Sequence, residues 1–155
     1  MTPTQNSTPV FSGEFCHALD VKNRLTIPAR WRVSEADEFH LIADRSGQFI
    51  KVMPPEQFRA VGEKLANNPA ITPKDRKMFV HLFFSKAMHV VLDKQGRMVV
   101  PEELTKELAK DARLQGDVML VGAYDTFELW TPALWSATRE AELSTFERVA
   151  DLIGL

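Results

Sequence analysis

The chain has 155 residues, of which 45% are hydrophobic and 26% are charged, and its formal net charge is −2 at pH 7. These values are ordinary for a globular protein with one domain or two small ones, and they argue against a strongly basic protein that coats nucleic acid. They leave room for a local basic patch, which is what a specific nucleic-acid site requires.

The N-terminal stretch, residues 1–11, is predicted to be a flexible tail, because it is mostly polar and lacks the charged start and apolar centre of a signal peptide. No run approaches the ~18 apolar residues that span a bilayer. The single cysteine, Cys16, cannot form a disulfide within the chain. We therefore expect a cytoplasmic protein, with Cys16 packed in a strand rather than acting as a nucleophile.

The first half of the chain is predicted to contain four strands and three helices. After a strand that ends at Asp20, the turn "VKN" and the strand "RLTI" lead into a short helix, "PARWRVSEA". The strands "EFHLIA" and "QFIKVM" surround the turn "DRSG", and "PPEQFRAVGEKLANN" has helical spacing. Thr72 is a suitable cap for a third helix. That helix has an apolar stripe that we expect in the core: Met78, Phe79, Leu82 and Phe83.

The second half repeats this order. The strands "KAMHVVLD" and "RMVVP" surround the turn "KQG", and the helix "PEELTKELAKDA" precedes the strands "DVMLVGA" and "TFELW". A helix should run from Pro132 to about Leu143, and Ser144 with Glu147 has the capping-box pattern that starts a last helix. One face of that helix is apolar and needs a neighbour in the chain or in another subunit: Phe146, Val149, Leu152 and Ile153.

An internal repeat underlies this parallel order. The stretch "LDVKNRLTIPAR" returns as "LDKQGRMVVPEE", with Asp, Arg and Pro displaced by a constant 73 positions. We therefore divide the chain into a first repeat (14–57), linking helices (58–86), a second repeat (87–130) and C-terminal helices (131–155).

The repeated turn has a recognisable chemistry. Asp20 and Asp93 end a strand, where a carboxylate accepts backbone N–H groups and fixes the turn. Asn23 and Gly96 are residue types that tolerate a positive backbone angle. The turns present Lys22 and Arg24 in one copy, and Lys94 and Arg97 in the other. Two interpretations stay open: a structural Asp–Arg ion pair, or an arginine oriented by its aspartate to contact phosphate or guanine.

The two copies differ just after the proline. The first continues with Arg30 and Arg32 and the second with Glu102 and Glu103. Bases at a helix start are mildly unfavourable, and residues 20–32 hold four bases and one acid. We interpret this segment as the more basic binding face, with Arg30 and Arg32 either contacting phosphate or lying on a solvated helix face. Because Glu102 and Glu103 lie close in sequence to Arg97, a mainly structural role is the alternative for the second copy.

These stretches, together with "VMLVGAYDTFELW", resemble the MraZ family over most of the chain. The family resembles AbrB-type regulators, whose half-units pair as swapped hairpins. The resemblance implies an α+β fold in which two AbrB-like β-hairpin half-units form a small pseudo-twofold β-barrel with flanking helices.

The resemblance also implies a function. Such proteins are nucleoid-associated transcriptional regulators that assemble into homo-oligomeric rings and bind direct repeats of double-stranded DNA upstream of the division and cell-wall operon that they head. The turns of the family correspond here to Asp20, Lys22, Asn23 and Arg24, and to Asp93, Lys94, Gly96 and Arg97. Asn23 stands where family members usually have glycine, but asparagine still tolerates the required backbone angle.

Two other classes of function remain. The apolar last helix and the acidic balance are also compatible with an oligomeric ring that has no nucleic-acid role. Catalysis is disfavoured, because the four histidines are scattered and no metal-binding, nucleophile or phosphate-loop motif is present: His17, His40, His81 and His89. We expect no enzyme activity, no metal and no cofactor.

Overall fold

The computed structural model of the protein describes residues 9–33 and 37–155. Its strands are β1 (Glu14–Ala18), β2 (Arg24–Thr26), β3 (Glu38–Ala43), β4 (Ile50–Met53), β5 (Met88–Val91), β6 (Arg97–Val99), β7 (Asp117–Gly122) and β8 (Phe127–Trp130). Its α-helices are α1 (Pro55–Ala66), α2 (Pro73–Phe83), α3 (Glu102–Lys106) and α4 (Pro132–Leu152), and short 3-10 turns lie at Ala29–Trp31 and Lys110–Ala112. The α+β class is confirmed.

The two repeats exchange strands. Six strands form one antiparallel sheet in the order β1-β7-β8-β4-β3-β5, and β2 pairs with β6 in a separate two-stranded ribbon. Corresponding strands of the two repeats occupy symmetric places: β1 and β5 at the edges, β7 and β3 next, and β8 and β4 in the centre. Because β1 pairs with β7 and β5 pairs with β3, each repeat supplies the edge strand of the other.

The core lies between the ribbon and one face of the sheet. Leu25 and Met98, the central residues of β2 and β6, are fully buried. In the sheet, every second residue points to the same face, so the residues of the core cluster alternate along the inner strands, as Phe39 and Leu41 do in β3. An aromatic cluster forms around Trp31, whose ring lies 4.8 Å from that of Phe127.

The expected barrel is not closed. Among the described strands, β1 and β5 have no pairing with each other, and the sheet stays open. The ribbon instead covers the open side, with β2 against β1 and β6 against β5. Its strands are only three residues long and pair with each other, so they close the core with side chains rather than by extending the sheet.

Two predictions near the ends of the chain are wrong. Phe11, assigned to the tail, is a core residue whose N–H and C=O exchange backbone hydrogen bonds with Tyr124 at 2.8 and 3.0 Å. Residues 1–8 of the predicted tail lie outside the described residues. The C-terminal segment is one helix, α4, rather than two. Helix α4 contains neither proline nor glycine near Ser144. It therefore continues through the capping-box residues without a break.

Other expected helices are shorter than the sequence indicates. After Pro28 only the 3-10 turn Ala29–Trp31 forms, because Arg32 is already extended, and residues 34–36 of that predicted helix are not described. The predicted helix after Pro101 splits into α3 and a 3-10 turn. No helix in the described ranges is long and apolar enough to cross a membrane.

Helices α1 and α4 lie on the sheet face opposite the ribbon. Trp130, which alternates with the core residue Leu129, contacts Trp135 of α4, with ring centroids 5.2 Å apart. His40 of β3 stacks on Phe58 of α1. The helices do not cover all of this face, since Cys16 of the edge strand β1 is exposed. Cys16 therefore lies in a strand as predicted, but it is not packed.

The apolar stripe of α2 is also not core. Met78 is 55% and Leu82 is 67% exposed, and no residue of α2 is buried. The last turns of α4 are equally open, with Phe146 at 57% and Leu152 at 74% exposure. These two helices therefore present apolar surface that the described part of the chain does not cover.

The ribbon should contribute to stability mainly through its buried side chains. We expect Leu25→Ala to lower the free energy of unfolding by about 2–5 kcal/mol, because it removes buried methyl groups and leaves a cavity. Val21→Ala, at a position that is 99% exposed, should stay within about 0.5 kcal/mol of the parent. Urea unfolding at one fixed protein concentration measures both. Equal losses for the two variants would contradict a core closed by the ribbon.

Candidate nucleic-acid interface

The first turn, Asp20–Arg24, is fixed by one carboxylate. Oδ1 of Asp20 accepts the backbone N–H groups of Lys22 and Arg24, both at 2.9 Å, and Oδ2 accepts Nε of Arg24 at 2.6 Å. Asn23 has a φ of 58°, the left-handed region that the sequence indicates. The aspartate therefore holds the turn and the arginine together.

The second turn, Asp93–Arg97, has the same bonds. Oδ1 of Asp93 accepts the N–H groups of Gln95 and Arg97, both at 2.9 Å, and Oδ2 accepts Nε of Arg97 at 2.8 Å. Gly96 has a φ of 76°. Both ion pairs lie in partly exposed positions, with about 28% and 29% of the arginine side chains accessible.

The hydrogen bonds keep both aspartates charged. The backbone N–H of Arg24 is the main cause that lowers the pKa of Asp20 from its ordinary value of 3.8 to about 2, against an opposing desolvation, and the side chain of Arg24 adds to the lowering. The backbone N–H of Arg97 likewise lowers the pKa of Asp93. At neutral pH each arginine therefore stays bound to a carboxylate through Nε.

Strand pairing brings the two turns onto one surface. In the ribbon, Arg24 lies opposite Val99 and Thr26 lies opposite Arg97. Residues directly opposite in an antiparallel pair point to the same side, and diagonal neighbours are ~7–8 Å apart. Since Leu25 and Met98 point inward, the other side of the ribbon is exposed. We call it the ribbon face; it consists of Arg24, Thr26, Arg97 and Val99.

Two members of the ribbon face are absent from the sequence-based prediction. Thr26 is exposed, and Val99 is 51% accessible although it is apolar. Alternation along β2 and β6 could have indicated that they face outward. Their position between the two arginines depends on the pairing of β2 with β6, which no local pattern specifies.

The remaining predicted bases divide between two places. Lys22 and Lys94 are exposed on the turns. Arg30 lies beside the start of β1, where Nη2 donates to the carbonyl of Ser12 at 3.3 Å and the guanidinium lies 5.0 Å from the ring centre of Phe15.

Arg32 lies against the second turn, although it follows the first turn in sequence. A Cβ added at Gly96 would overlap the guanidinium of Arg32. The Nε atom of Arg32 is buried and has no hydrogen-bond partner among the described residues. Arg32 therefore belongs to the surface of the second turn.

Glu102 is placed in the opposite way: it follows the second turn in sequence but lies beside the first. It lines a cavity of about 330 Å³ beside Asn23 of the first turn, together with Thr105 and Lys106. The sequence indicated bases near the first turn and acids near the second. The structure places Arg32 with the second turn and Glu102 with the first, because the paired strands continue past each other's turns.

The histidines are partly brought together, on the side of the sheet away from the ribbon. The pairing of β3 with β5 sets His40 opposite His89, with ring centroids 5.1 Å apart, and Nε2 of His89 lies 2.7 Å from Glu38. Burial lowers the pKa of His40, and His89 adds to this. Within 9–33 and 37–155, no group of three or more His, Cys, Asp or Glu could hold a metal ion.

The fold and the interface define a class of protein: an internally duplicated chain whose repeats exchange strands and pair their arginine turns on one ribbon. The chain belongs to the MraZ family. The family model described as "MraZ protein, putative antitoxin-like" matches residues 10–80 and 83–155, once for each repeat.

Proteins named transcriptional regulator MraZ are similar over nearly the whole chain. The one from Heliobacterium modesticaldum is 37% identical over 142 residues, which cover 92% of this chain and 95% of the relative. The one from Clostridium tetani is 32% identical with the same coverage. The one from Desulfitobacterium hafniense is 36% identical over 94% of this chain and 99% of the relative.

The bracing of the first turn predicts an acid-resistant carboxylate. Because the folded-state pKa of Asp20 is lowered, its contribution to stability is complete above about pH 3.8 and is lost as the pH falls through about 2. The ¹³C shift of the Asp20 carboxyl, followed by NMR, should have its midpoint near pH 2 in the folded protein. The same carboxyl in the urea-unfolded chain should titrate near 3.8. Equal midpoints in the two states would exclude the bracing.

Proposed function

We propose that this protein is a sequence-specific DNA-binding transcriptional regulator of a cell-division and cell-wall operon, and that it binds direct repeats upstream of its own gene through the two turns. One observation supports this most directly. Arg24 and Arg97, each braced by its own aspartate, share the exposed face of a two-stranded ribbon. The names of the family relatives support the same function.

The geometry of the arginines suits base recognition. Each aspartate accepts from Nε, so both terminal amino groups of Arg24 and of Arg97 are left to donate. An arginine that donates twice to O6 and N7 of guanine is the commonest specific contact in the major groove, and that groove admits a two-stranded ribbon. Bracing also reduces the side-chain entropy that binding would otherwise cost.

The neighbouring residues complete the proposed surface. Lys22 and Lys94 are placed to contact phosphate, which positions the protein without reading sequence. Arg30, at the edge of this side, would add a further phosphate contact. Thr26 and Val99 provide methyl groups between the two arginines, where they would contact the methyl group of thymine.

Oligomerisation would explain how a chain with a net charge of −2 binds DNA. The apolar surfaces on α2 and on the end of α4 lie on different elements. If α2 of one copy contacts α4 of the next, the contact is head-to-tail. Such contacts close into a ring when the rotation between neighbouring copies divides a full turn. Each ring would present many ribbon faces, and linkage raises the effective concentration for each further contact. We propose that this ring, located in the cytoplasm with the nucleoid, acts on repeated DNA sites.

The same apolar surfaces favour a second candidate: an oligomeric ring that interacts with other macromolecules and has no nucleic-acid role. This candidate leaves the braced arginines as structural ion pairs. It predicts assembly without binding to the DNA upstream of its own gene, and footprinting on that DNA separates the two candidates.

Removing either arginine should weaken DNA binding. We expect Arg24→Ala and Arg97→Ala each to cost about 1–3 kcal/mol per guanine contact, or about 5- to 150-fold in affinity. The turns should survive, because their aspartates still accept backbone N–H groups. Fluorescence anisotropy with the duplex upstream of the gene measures the affinity. Arg59→Ala, on α1 and on the opposite side of the sheet, is the control.

Two results would count against this site. Unchanged affinity in both arginine variants would leave the ion pairs a structural role alone. A flat plot of log affinity against log salt for the parent protein would exclude phosphate contact, since phosphate neutralisation gives a slope of about −0.9 per contact.

The apolar end of α4 should determine the oligomeric state. Phe146→Glu is expected to reduce the assembly to smaller species, because it places a charge in the contact, and light scattering after size exclusion measures the mass. Ser144→Glu, on the other side of the same helix, should leave the mass unchanged. If both variants keep the parent mass, this surface is not the contact between subunits.

A further inference from the structure

The two turns have matching hydrogen bonds but different surroundings. Gly96 of the second turn is buried, whereas Asn23 of the first turn is exposed. Both have positive φ angles, of 76° and 58°. The backbone geometry alone therefore does not explain why one position has a side chain and the other has none.

The residue that lies over each turn explains the difference. Arg32 lies over Gly96 so closely that a Cβ there would overlap its guanidinium. The residue displaced from Arg32 by the repeat offset of 73 is Thr105. Thr105 lies beside Asn23, and its short side chain leaves the cavity of about 330 Å³ unfilled. The pairs Arg32–Gly96 and Thr105–Asn23 thus occupy equivalent positions. In the first pair a large residue lies over a glycine, and in the second a small residue lies beside an asparagine.

This exchange changes the charge at each turn. The second turn has Lys94 and Arg97 of its own and gains Arg32 from the first repeat. The cavity beside the first turn is lined by one acid, Glu102, and by two bases, Lys106 and Arg113, and the guanidinium of Arg113 donates to the backbone carbonyls of Lys106 and Leu108. Contacts across the repeats therefore place a third base, Arg32, directly over the second turn, where the first turn has the uncharged Thr105.

We infer that Arg32 and Lys94 form one phosphate-binding cluster beside Arg97, so that Arg32 adds to the second turn a backbone contact that its equivalent at the first turn, Thr105, cannot make. Gly96 is glycine because the guanidinium of Arg32 occupies the space of a side chain. The two turns are then specialised: both arginines read bases, and Arg32 adds a backbone contact at one of them. This inference rests on the proposed DNA-binding function and assigns unequal roles within that site.

A phosphate contact and a packing role for Arg32 have different signatures. Loss of packing lowers thermal stability and leaves the salt dependence of binding unchanged. Loss of a phosphate contact reduces the slope of log affinity against log salt by about 0.9 for each engaged subunit. The salt slope is therefore the decisive measurement.

The first experiment compares Arg32→Thr with the full-length parent on the duplex upstream of its own gene, between 50 and 200 mM salt. Each lost contact should make the loss of affinity about three- to fourfold larger at 50 mM than at 200 mM. Arg139→Thr is the matched control, because Arg139 pairs with Glu14 at 3.5 Å and lies on α4, across the sheet from the ribbon. It should leave the slope unchanged.

The second experiment exchanges the equivalent pairs. Gly96→Asn with Arg32→Thr copies the first turn onto the second, so the protein should fold normally and show the reduced slope even if Arg32→Thr alone is unstable. Asn23→Gly with Thr105→Arg copies the second turn onto the first and should steepen the slope by a similar amount. Gly96→Asn alone should lower the melting temperature, because the new side chain displaces Arg32.

The outcomes separate the inference from the proposed function. If the parent binds the duplex but Arg32→Thr and the Gly96→Asn/Arg32→Thr pair keep the parent slope, the cluster is refuted and DNA binding stands. If the Asn23→Gly/Thr105→Arg variant has the same slope of log affinity against log salt as the parent, that result also counts against the cluster. If the parent does not bind the duplex at all, the proposed function fails, and the inference fails with it.

Discussion

The antiparallel pairing of β2 with β6 is the interaction on which the rest of the structure depends. It joins one short strand from each repeat, so the core that it covers is built from both repeats. The same register turns Leu25 and Met98 inward and Arg24 and Arg97 outward. A single backbone ladder therefore closes the core and constructs the exposed face, and a slip by one residue would exchange the two sets of side chains.

The parts of the molecule that local chemistry determines could be predicted from the sequence. The Asp-x-x-x-Arg turns are predictable because the carboxylate, the residue with a positive backbone angle and the arginine lie within five positions, and the structure shows the bonds of Asp20 and Asp93. Most strands follow from alternation and turn residues. The α+β class and the duplication follow from the constant spacing of the repeats.

What depends on contacts between the repeats could not be predicted. Sequence proximity assigned Arg32 to the first turn and the acids after Pro101 to the second, and the exchange of strands reverses this for Arg32 and Glu102. Phe11 was assigned to a tail because its neighbours are polar, but a hydrogen-bonded bridge to Tyr124 holds it in the core. The break expected at Ser144 is absent because a capping residue ends a helix only where the chain also leaves the helical conformation.

The unbroken course of α4 has a geometric consequence. Its first turns are fastened to the sheet, through Trp135 on Trp130 and Arg139 on Glu14. A helix of 21 residues is about 30 Å long, so the apolar end is held at a set distance and angle from the body of the subunit. One residue inserted in mid-helix would swing that end by about 100°. In the proposed ring, helix length would therefore set the rotation between adjacent copies, and with it the spacing of the DNA sites that the ring could bind together.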